Sequence, residues 1–245
     1  MTSLISGALF LKQCCLPIFL SISLIFKILA DDGTHSPRAP EHKFPSCALD
    51  CIDATKWAGS NAASLGADPS KGFIIGGTSA GGNLTGVTVH ALMDEKFSPS
   101  ITGCHYMIPT LCDADVFPDK YKADNIAWEQ NKDAPILGRK ASQLFLYNYL
   151  KEGEDKSNPL LSPLLWKSGH AGHPPSTFQV CGADPLRDEA MIFERILREE
   201  LNIKTKLYMY SGQPHGFWSV MPQLESSKKF VQDSVDSVQW LLERR

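Results

Sequence analysis

The feature that most constrains this chain is a serine held between glycines at the point where an apolar run ends. Residues 72–77 read GFIIGG, a short apolar run bounded by glycines, which predicts a buried strand. Residues 80–93 have the pattern of a helix. Between them, residues 77–81 read GTSAG, a G-x-S-x-G sequence centred on Ser79. A strand, a sharp turn and a helix are the context in which this sequence presents a nucleophilic hydroxyl.

The composition of this turn fits the chemistry of a nucleophile. A turn this tight strains the serine backbone, and small neighbours let the chain make it. The turn lifts the Ser79 hydroxyl above the carboxyl edge of the sheet, next to a helix N-terminus that favours developing negative charge. The Ala80 N–H is then a candidate donor to an oxyanion. A glycine-rich turn with an incidental serine is the alternative, and the apolar strand in front of the turn disfavours it.

The rest of the chain alternates predicted strands and helices. A length of 245 residues suits one compact α/β domain. This alternation predicts an α/β fold with a mostly parallel sheet of about five strands and helices on both faces. Residues 113–157 are polar and are predicted to form a partial lid, and residues 31–46 form a loop. The further strands are predicted at 101–111, 177–181 and 204–210, and the further helices at 47–64, 139–151, 188–201 and 223–243.

Composition excludes several classes of partner and site. The formal net charge of -3 and the absence of a long basic run argue against a nucleic-acid partner. The odd, scattered set of cysteines does not indicate a disulfide framework. Cys47 and Cys51 lie four residues apart, without the further ligands that a metal site needs, so buried free thiols are expected. The cysteines are Cys14, Cys15, Cys47, Cys51, Cys104, Cys112 and Cys181.

A serine hydroxyl needs a base, and His215 is the best candidate. In enzymes with this turn the acid and then the histidine follow the serine along the chain. His215 comes shortly after the predicted strand 204–210, which places it in a loop at the carboxyl edge of the sheet. His170 and His173 precede a strand, so they are expected at the opposite edge and exposed to solvent.

Two aspartates compete for the role of the acid that orients His215. Both follow the predicted strand 177–181, in the stretch CGADPLRD at 181–188. Asp188 directly precedes the predicted helix and has the position of an N-cap. We therefore predict Asp184 as the orienting acid and Asp188 as the cap.

Several stretches resemble the hormone-sensitive-lipase family of α/β-hydrolases. They occur in family order and with family-like spacing, and the resemblance covers roughly residues 38–245. The resemblance implies a carboxylesterase that acts on small or medium acyl esters without a cofactor. Some relatives deacetylate secondary metabolites. The matching stretches are APEHKFP at 39–45, GGTSAGGN at 76–83, NPLLSPL at 158–164, GADPLRDEA at 182–190 and HGF at 215–217.

The chain departs from this family pattern at its start. The family carries an HGGG-type motif upstream of the serine, whose N–H groups form most of the oxyanion hole, and the sequence has no such motif. The N-terminal strands and first cap segment of the family are not recognisable, and apolar residues 1–30 stand in their place. We therefore expect an incomplete α/β-hydrolase whose activity is impaired.

Residues 1–30 have three interpretations. The uncharged stretch 13–26 is 14 residues long, which suits a signal-peptide core better than a bilayer span of about 20 residues. The second interpretation is a membrane anchor, through which alone the chain is expected to contact a membrane. A mispredicted or rearranged chain start is favoured. The sequon at Asn83 lies directly behind Ser79, where a glycan would block folding, so a cytoplasmic location is favoured over secretion.

The sequence predicts a serine esterase with Ser79 as nucleophile, His215 as base and Asp184 as acid, acting on a small-molecule ester. A pseudoenzyme or small-molecule-binding protein of the same fold is the main alternative, because family members are known that became receptors. Retention of all three residues counts against it. A non-folding fragment is a further alternative.

Overall fold

In the part of the chain that the computed structural model describes, residues 19–20 and 39–244, five strands form one sheet. The order of the strands in the sheet follows the chain, β1-β2-β3-β4-β5. β2 to β5 are parallel to one another, and β1 pairs antiparallel with β2. The strands are β1 Phe19–Leu20, β2 Phe73–Thr78, β3 Gly103–Met107, β4 Ser176–Ala183 and β5 Thr205–Pro214. The predicted α/β class and mostly parallel sheet are confirmed.

Helices connect the parallel strands in the alternation that the sequence predicts. A π-helical turn, Ile196–Glu200, extends α5, and short 3-10 turns occur at Pro69–Lys71, Ala114–Val116, Asp119–Asp124 and Pro163–Leu165. The helices are α1 Ser46–Ser60, α2 Ala80–Asp94, α3 Ala127–Gln130, α4 Arg139–Tyr149, α5 Arg187–Arg195, α6 Phe217–Val220 and α7 Glu225–Leu242.

The core fills both faces of the sheet, as buried parallel strands require. On one face, Val89 of α2 and Phe193 of α5 pack with strand residues such as Phe178. α1 packs outside α2 through a second apolar cluster. On the other face, Phe230 of α7 packs with Tyr210 of β5. Because helices cover both faces of the sheet, polar groups are carried by the loops at the ends of the strands.

One predicted strand is shorter than expected and two are longer. β3 ends at Met107, whereas the apolar pattern runs to Leu111. Ile108 has a left-handed backbone, with φ 42°, and proline follows it. A strand cannot continue through these two residues. β4 and β5 extend beyond their predicted ends, and both therefore reach the edge where Asp184 and His215 lie.

The predicted exposure of the two loop histidines before β4 is wrong for His173. His173 is buried, and its Nε2 lies 3.0 Å from the Tyr106 hydroxyl in the core. His170 is half-buried, and its Nδ1 lies 2.8 Å from Nε2 of His90. A buried tyrosine hydroxyl needs a hydrogen-bond partner, and the loop supplies it by folding inward. The amino edge of the sheet is nevertheless where the sequence predicts both histidines.

The interpretation of residues 1–30 lies outside the described residues, apart from the two residues of β1. Among the described helices, none combines the length and apolar character needed to cross a bilayer.

Candidate active site

The turn between β2 and α2 carries Ser79 in a strained backbone conformation. Ser79 has φ 56° and ψ -114°, a region that residues other than glycine rarely adopt. Its N–H donates to the Met107 carbonyl of β3, at 2.8 Å, so the neighbouring strand holds the turn. The Ser79 side chain is half-buried. The strain predicted from the glycine-rich sequence is therefore present at the serine itself.

The glycines around Ser79 differ in how strictly the turn needs them. A Cβ on Gly77 would lie 2.3 Å from the Gly81 carbonyl oxygen, so no side chain fits there. A Cβ on Gly82 would lie 2.6 Å from the Pro109 Cβ. By contrast, a Cβ on Gly81 would meet no atom of the described chain within 4 Å beyond its chain neighbours and the backbone of its own helix. Gly77 thus makes the turn possible, and Gly82 lets the start of α2 approach the segment after β3.

His215 lies between Ser79 and Asp184 within hydrogen-bonding distance of both. Its Nε2 is 2.9 Å from Ser79 Oγ, and its Nδ1 is 2.6 Å from Asp184 Oδ2. The carboxylate can only accept, so Nδ1 carries the proton and Nε2 accepts from the serine hydroxyl. His215 comes directly after β5 and Asp184 directly after β4, so the parallel sheet brings both to its carboxyl edge.

The Asp184 carboxylate is fixed by its own loop. Asp184 is 1% exposed, and its second oxygen, Oδ1, accepts from the Leu186 N–H at 2.9 Å. The Arg187 N–H donates to the Asp184 carbonyl at 3.1 Å. Because both the carboxylate and the backbone are held, the carboxylate presents one oxygen to His215 in a defined direction. The arrangement can orient an imidazole and stabilise it when it takes up a proton.

The prediction that Asp188 caps its own helix is wrong. α5 begins at Arg187, one residue before Asp188. The Asp188 carboxylate instead accepts from the N–H groups of Ile126 and Ala127, at 2.9 and 2.6 Å, at the start of α3. It also pairs with the Arg187 guanidinium at 2.7 Å. Asp188 thus caps a different helix, α3, which its position in the sequence does not reveal, and it is not the residue that contacts His215.

Ala80 is the first residue of α2 and is exposed. The first N–H groups of a helix have no carbonyl partner within that helix. The Ala80 N–H thus lies next to Ser79 at a helix start, and its role as an oxyanion donor stays a prediction.

The buried thiols agree with the prediction, and no metal site is found in the described part of the chain. Residues 39–244 contain no group of three or more histidine, cysteine, aspartate or glutamate side chains able to hold a metal ion. Cys14 and Cys15 lie outside the described residues. The described cysteines that are buried and form no disulfide are Cys47, Cys51, Cys104, Cys112 and Cys181.

Sequence reasoning missed the contacts of two buried polar residues, Glu189 and Asn83, which lie close to the group formed by Ser79, His215 and Asp184. Glu189 of α5 is 5% exposed and accepts from two N–H groups after β3. Asn83 of α2 donates through Nδ2 to the carbonyls of Thr110 and Leu161, at 3.0 and 2.8 Å. Asn83 is also the asparagine of the sequon, and a glycan on Nδ2 would replace one of the two hydrogens that make these bonds. Both residues belong to stretches that match the family, GGTSAGGN and GADPLRDEA, which is the signal that would have found them.

A comparison with protein-family models matches residues 37–219 to the family described as alpha/beta hydrolase fold. The chain belongs to this α/β-hydrolase family. The match confirms the resemblance to hormone-sensitive-lipase-type α/β-hydrolases that the motifs around Ser79 and Asp184 indicate.

Individual α/β-hydrolases are similar over most of the chain. An AB hydrolase superfamily protein of Schizosaccharomyces pombe is 42% identical over 204 residues, or 83% of this chain and 59% of that protein. A versiconal hemiacetal acetate esterase of Dothistroma septosporum is 33% identical over 204 residues, or 83% of this chain and 61% of that protein. The crystal structure of vibralactone cyclase has a TM-score of 0.79 and 35% identity, covering 84% of this chain and 59% of that one. The chain thus spans about three fifths of these α/β-hydrolases.

Proposed function

We propose that this α/β-hydrolase is a serine carboxylesterase that cleaves small or medium acyl esters through an acyl-enzyme. The observation that carries the proposal is the continuous contact from Asp184 Oδ2 through His215 to Ser79 Oγ, with distances of 2.6 and 2.9 Å. A nucleophile, a base within hydrogen-bonding reach and a group that orients the base are the parts that acyl transfer needs. The similarity to an acetate esterase supports a short acyl group.

In the proposed mechanism, Ser79 Oγ attacks the ester carbonyl while His215 Nε2 takes its proton. Asp184 holds the imidazole with Nδ1 protonated and stabilises the imidazolium. The Ala80 N–H donates to the oxyanion of the tetrahedral intermediate. His215 then returns the proton to the departing alkoxide, which leaves an acyl group on Ser79. Water, deprotonated by His215, releases the carboxylic acid and restores the serine.

We propose residues 31–245 as the catalytic domain and residues 113–157 as a partial lid over the substrate. Much of this lid segment packs on α5, because Asp188 caps α3 and Tyr121 donates to Glu200 at 2.8 Å. Apolar side chains of α4, such as Phe145, are exposed. A secondary-metabolite ester is a suitable candidate substrate in view of the versiconal hemiacetal acetate esterase.

The test is hydrolysis of p-nitrophenyl acetate by the purified chain, together with mass spectrometry after exposure to a fluorophosphonate. We expect turnover and one phosphonyl adduct on Ser79. Thermal stabilisation by an unhydrolysable ester analogue, without turnover or labelling, would instead favour the small-molecule-binding protein. A chain that neither reacts nor shows a cooperative unfolding transition would favour the non-folding fragment.

A further inference from the structure

Glu189 is a buried carboxyl group that lies outside the proposed Ser79, His215 and Asp184 triad. Its Oε2 accepts from the Leu111 N–H at 2.5 Å and from the Cys112 N–H at 2.9 Å. These two donors belong to the segment that leaves the sheet after β3. Glu189 itself sits in the first turn of α5. Its carboxyl group therefore joins two parts of the chain that lie 78 residues apart.

The segment that Glu189 holds also touches the helix that carries the nucleophile. Asn83 Nδ2 donates to the Thr110 carbonyl at 3.0 Å. Pro109 packs so closely on Gly82 that a Cβ there would overlap it. Residues 109–112 thus lie between the start of α2 and Glu189.

At its other end, the connection through Glu189 reaches Asp184, the proposed acid. Glu189 follows Asp184 by five residues, and the Arg187 N–H bonded to the Asp184 carbonyl makes the intervening turn compact. A displacement of α5 relative to residues 109–112 would therefore change the position of Asp184 relative to Ser79. A misplacement of about 1 Å is enough to reduce a rate on the order of 10²-fold.

We propose that Glu189 is a positioning residue, which couples the acid-bearing turn at Asp184 to the nucleophile-bearing helix through residues 109–112. This role rests on the proposed esterase function. Glu189 does not touch the reacting atoms and acts through the backbone that it binds.

Because Glu189 is mainly uncharged at neutral pH, glutamine is a conservative replacement for it. Burial raises the pKa of Glu189 to about 8. The two N–H groups oppose this rise, while the nearby charges of Asp184 and Asp113 add to it. The Cys112 thiol also faces this carboxyl group, and burial and then Glu189 raise its pKa to about 12. Below pH 8 the group is thus mainly neutral, and the glutamine amide, which has the same shape, can accept the same two N–H bonds.

Glu194 provides a matched control on the same helix. It is 4% exposed, and its carboxylate accepts from Arg198 at 2.9 Å and from the Thr205 hydroxyl, away from residues 109–112. Glu194→Ala removes a buried carboxylate of α5 without breaking the connection to the nucleophile helix. The two alanine variants therefore separate loss of stability from loss of positioning.

The experiment combines hydrogen exchange with steady-state kinetics on the full chain. We expect Glu189→Ala to speed amide exchange in the peptides 79–83 and 108–112. We also expect a kcat for p-nitrophenyl acetate, per titrated active site, lower by about 10- to 100-fold with little change in KM. Glu189→Gln should retain kcat to within about threefold because the acceptor oxygen remains. Glu194→Ala should lower the melting temperature and leave exchange in 79–83 and kcat unchanged.

Two results would overturn the inference. One is exchange in 79–83 that is the same in Glu189→Ala as in Glu194→Ala. The other is a kcat per active site that does not change, which would leave Glu189 a structural residue only. If Glu189→Ala does not fold, Glu189→Asp, one methylene shorter, must show the same pattern to a lesser degree at pH 7. Absence of turnover in the wild type, with the exchange coupling present, would refute the esterase function and leave the coupling in place.

Discussion

Two histidine–hydroxyl pairs of the described structure lie at opposite edges of the sheet, and their surroundings differ. At the carboxyl edge, His215 Nε2 lies 2.9 Å from Ser79 Oγ. At the amino edge, His173 Nε2 lies 3.0 Å from the Tyr106 hydroxyl. The distances alone do not distinguish a candidate base from a histidine that satisfies a buried hydroxyl.

The two pairs differ in the partner of the second ring nitrogen of the histidine and in how far the pair is accessible to solvent. Nδ1 of His215 faces the Asp184 carboxylate, whereas Nδ1 of His173 faces the Pro174 carbonyl and the Ser176 hydroxyl. Burial lowers the pKa of His173 well below its usual value, and the neighbouring His90 acts in the same direction. A carboxylate favours an imidazolium, and a dry, uncharged site opposes it. The pair at the amino edge therefore resists protonation, whereas the proposed mechanism uses the pair at the carboxyl edge to carry a proton.

The sharpest test of this comparison is chemical modification of Ser79 and Ser176, each of which lies beside a histidine. Ser79→Ala should abolish fluorophosphonate labelling, because Ser79 is half-buried and next to a base. Ser176→Ala should leave labelling intact, because Ser176 is fully buried at the amino edge and donates to the Pro174 carbonyl. Intact-protein mass spectrometry measures both. Persistent labelling of the Ser79→Ala protein would refute the assignment of the nucleophile.

The next largest effect is expected from Asp184, the carboxylate that distinguishes His215 from His173. Asp184→Asn should reduce kcat on the order of 10⁴-fold, because an amide favours the wrong imidazole tautomer. Asp188→Asn should have a mild effect, since its amide oxygen can still accept from Ile126 and Ala127. Steady-state kinetics on p-nitrophenyl acetate gives both values. If Asp188→Asn proved the more damaging, the acid would be misassigned.

The carboxyl edge can also be tested for its oxyanion donors. Among the described residues, the Ala80 N–H is the donor that we identify beside Ser79. Removing one oxyanion donor costs roughly 10²–10³ in kcat. We expect a version that carries an HGGG-bearing N-terminal region to exceed this chain in kcat/KM by at least this factor and to be more soluble. Equal values for the two proteins would mean that another part of the chain supplies the donors.

The smallest expected effect concerns acid stability at the amino edge. Burial lowers the pKa of His90 to about 4, while the unfolded chain takes up this proton near pH 6.5. The unfolded state then binds more protons between these values, so this site makes stability fall as the pH falls from about 6.5 to 4. His90→Gln should flatten the dependence of unfolding free energy on pH by up to about 1.4 kcal/mol per pH unit.

Urea unfolding at several pH values gives this slope for His90→Gln. The exposed His42, changed to glutamine, controls for the substitution. An unchanged slope in His90→Gln would show that the amino-edge cluster does not resist protonation. The carboxylates of Asp94 and Glu200, which lie near His90 and His170, favour protonation and limit the effect.

Much of the fold followed from local sequence patterns. The apolar run before Ser79 predicted β2, and helical periodicity predicted α2 and α7 to within two residues. β3 was overestimated because an apolar pattern does not reveal the left-handed Ile108. In the segment that the sequence predicts as a lid, residues 113–157, the pattern predicted the helix near Arg139 but not the contacts of the segment with α5.

The candidate site was accessible to sequence reasoning because the sheet is parallel. In a parallel sheet, residues just after the strands meet at one edge, so chain order alone placed Ser79, Asp184 and His215 together. The proximity of these three residues, with distances of 2.6 and 2.9 Å, agrees with this expectation. Their catalytic roles stay predictions until the variants are measured.

The sequence by itself determined the strand–helix alternation, the strained turn at Ser79 and the edge at which an acid and a base would gather. Each of these depends on residues close in the chain or on the order of the strands. Only the tertiary structure decided that Asp188 caps α3, that His173 is buried against Tyr106, and that Glu189 holds the segment after β3. These contacts join residues more than 60 apart, and a polar side chain looks alike in sequence whether it meets solvent or a distant partner.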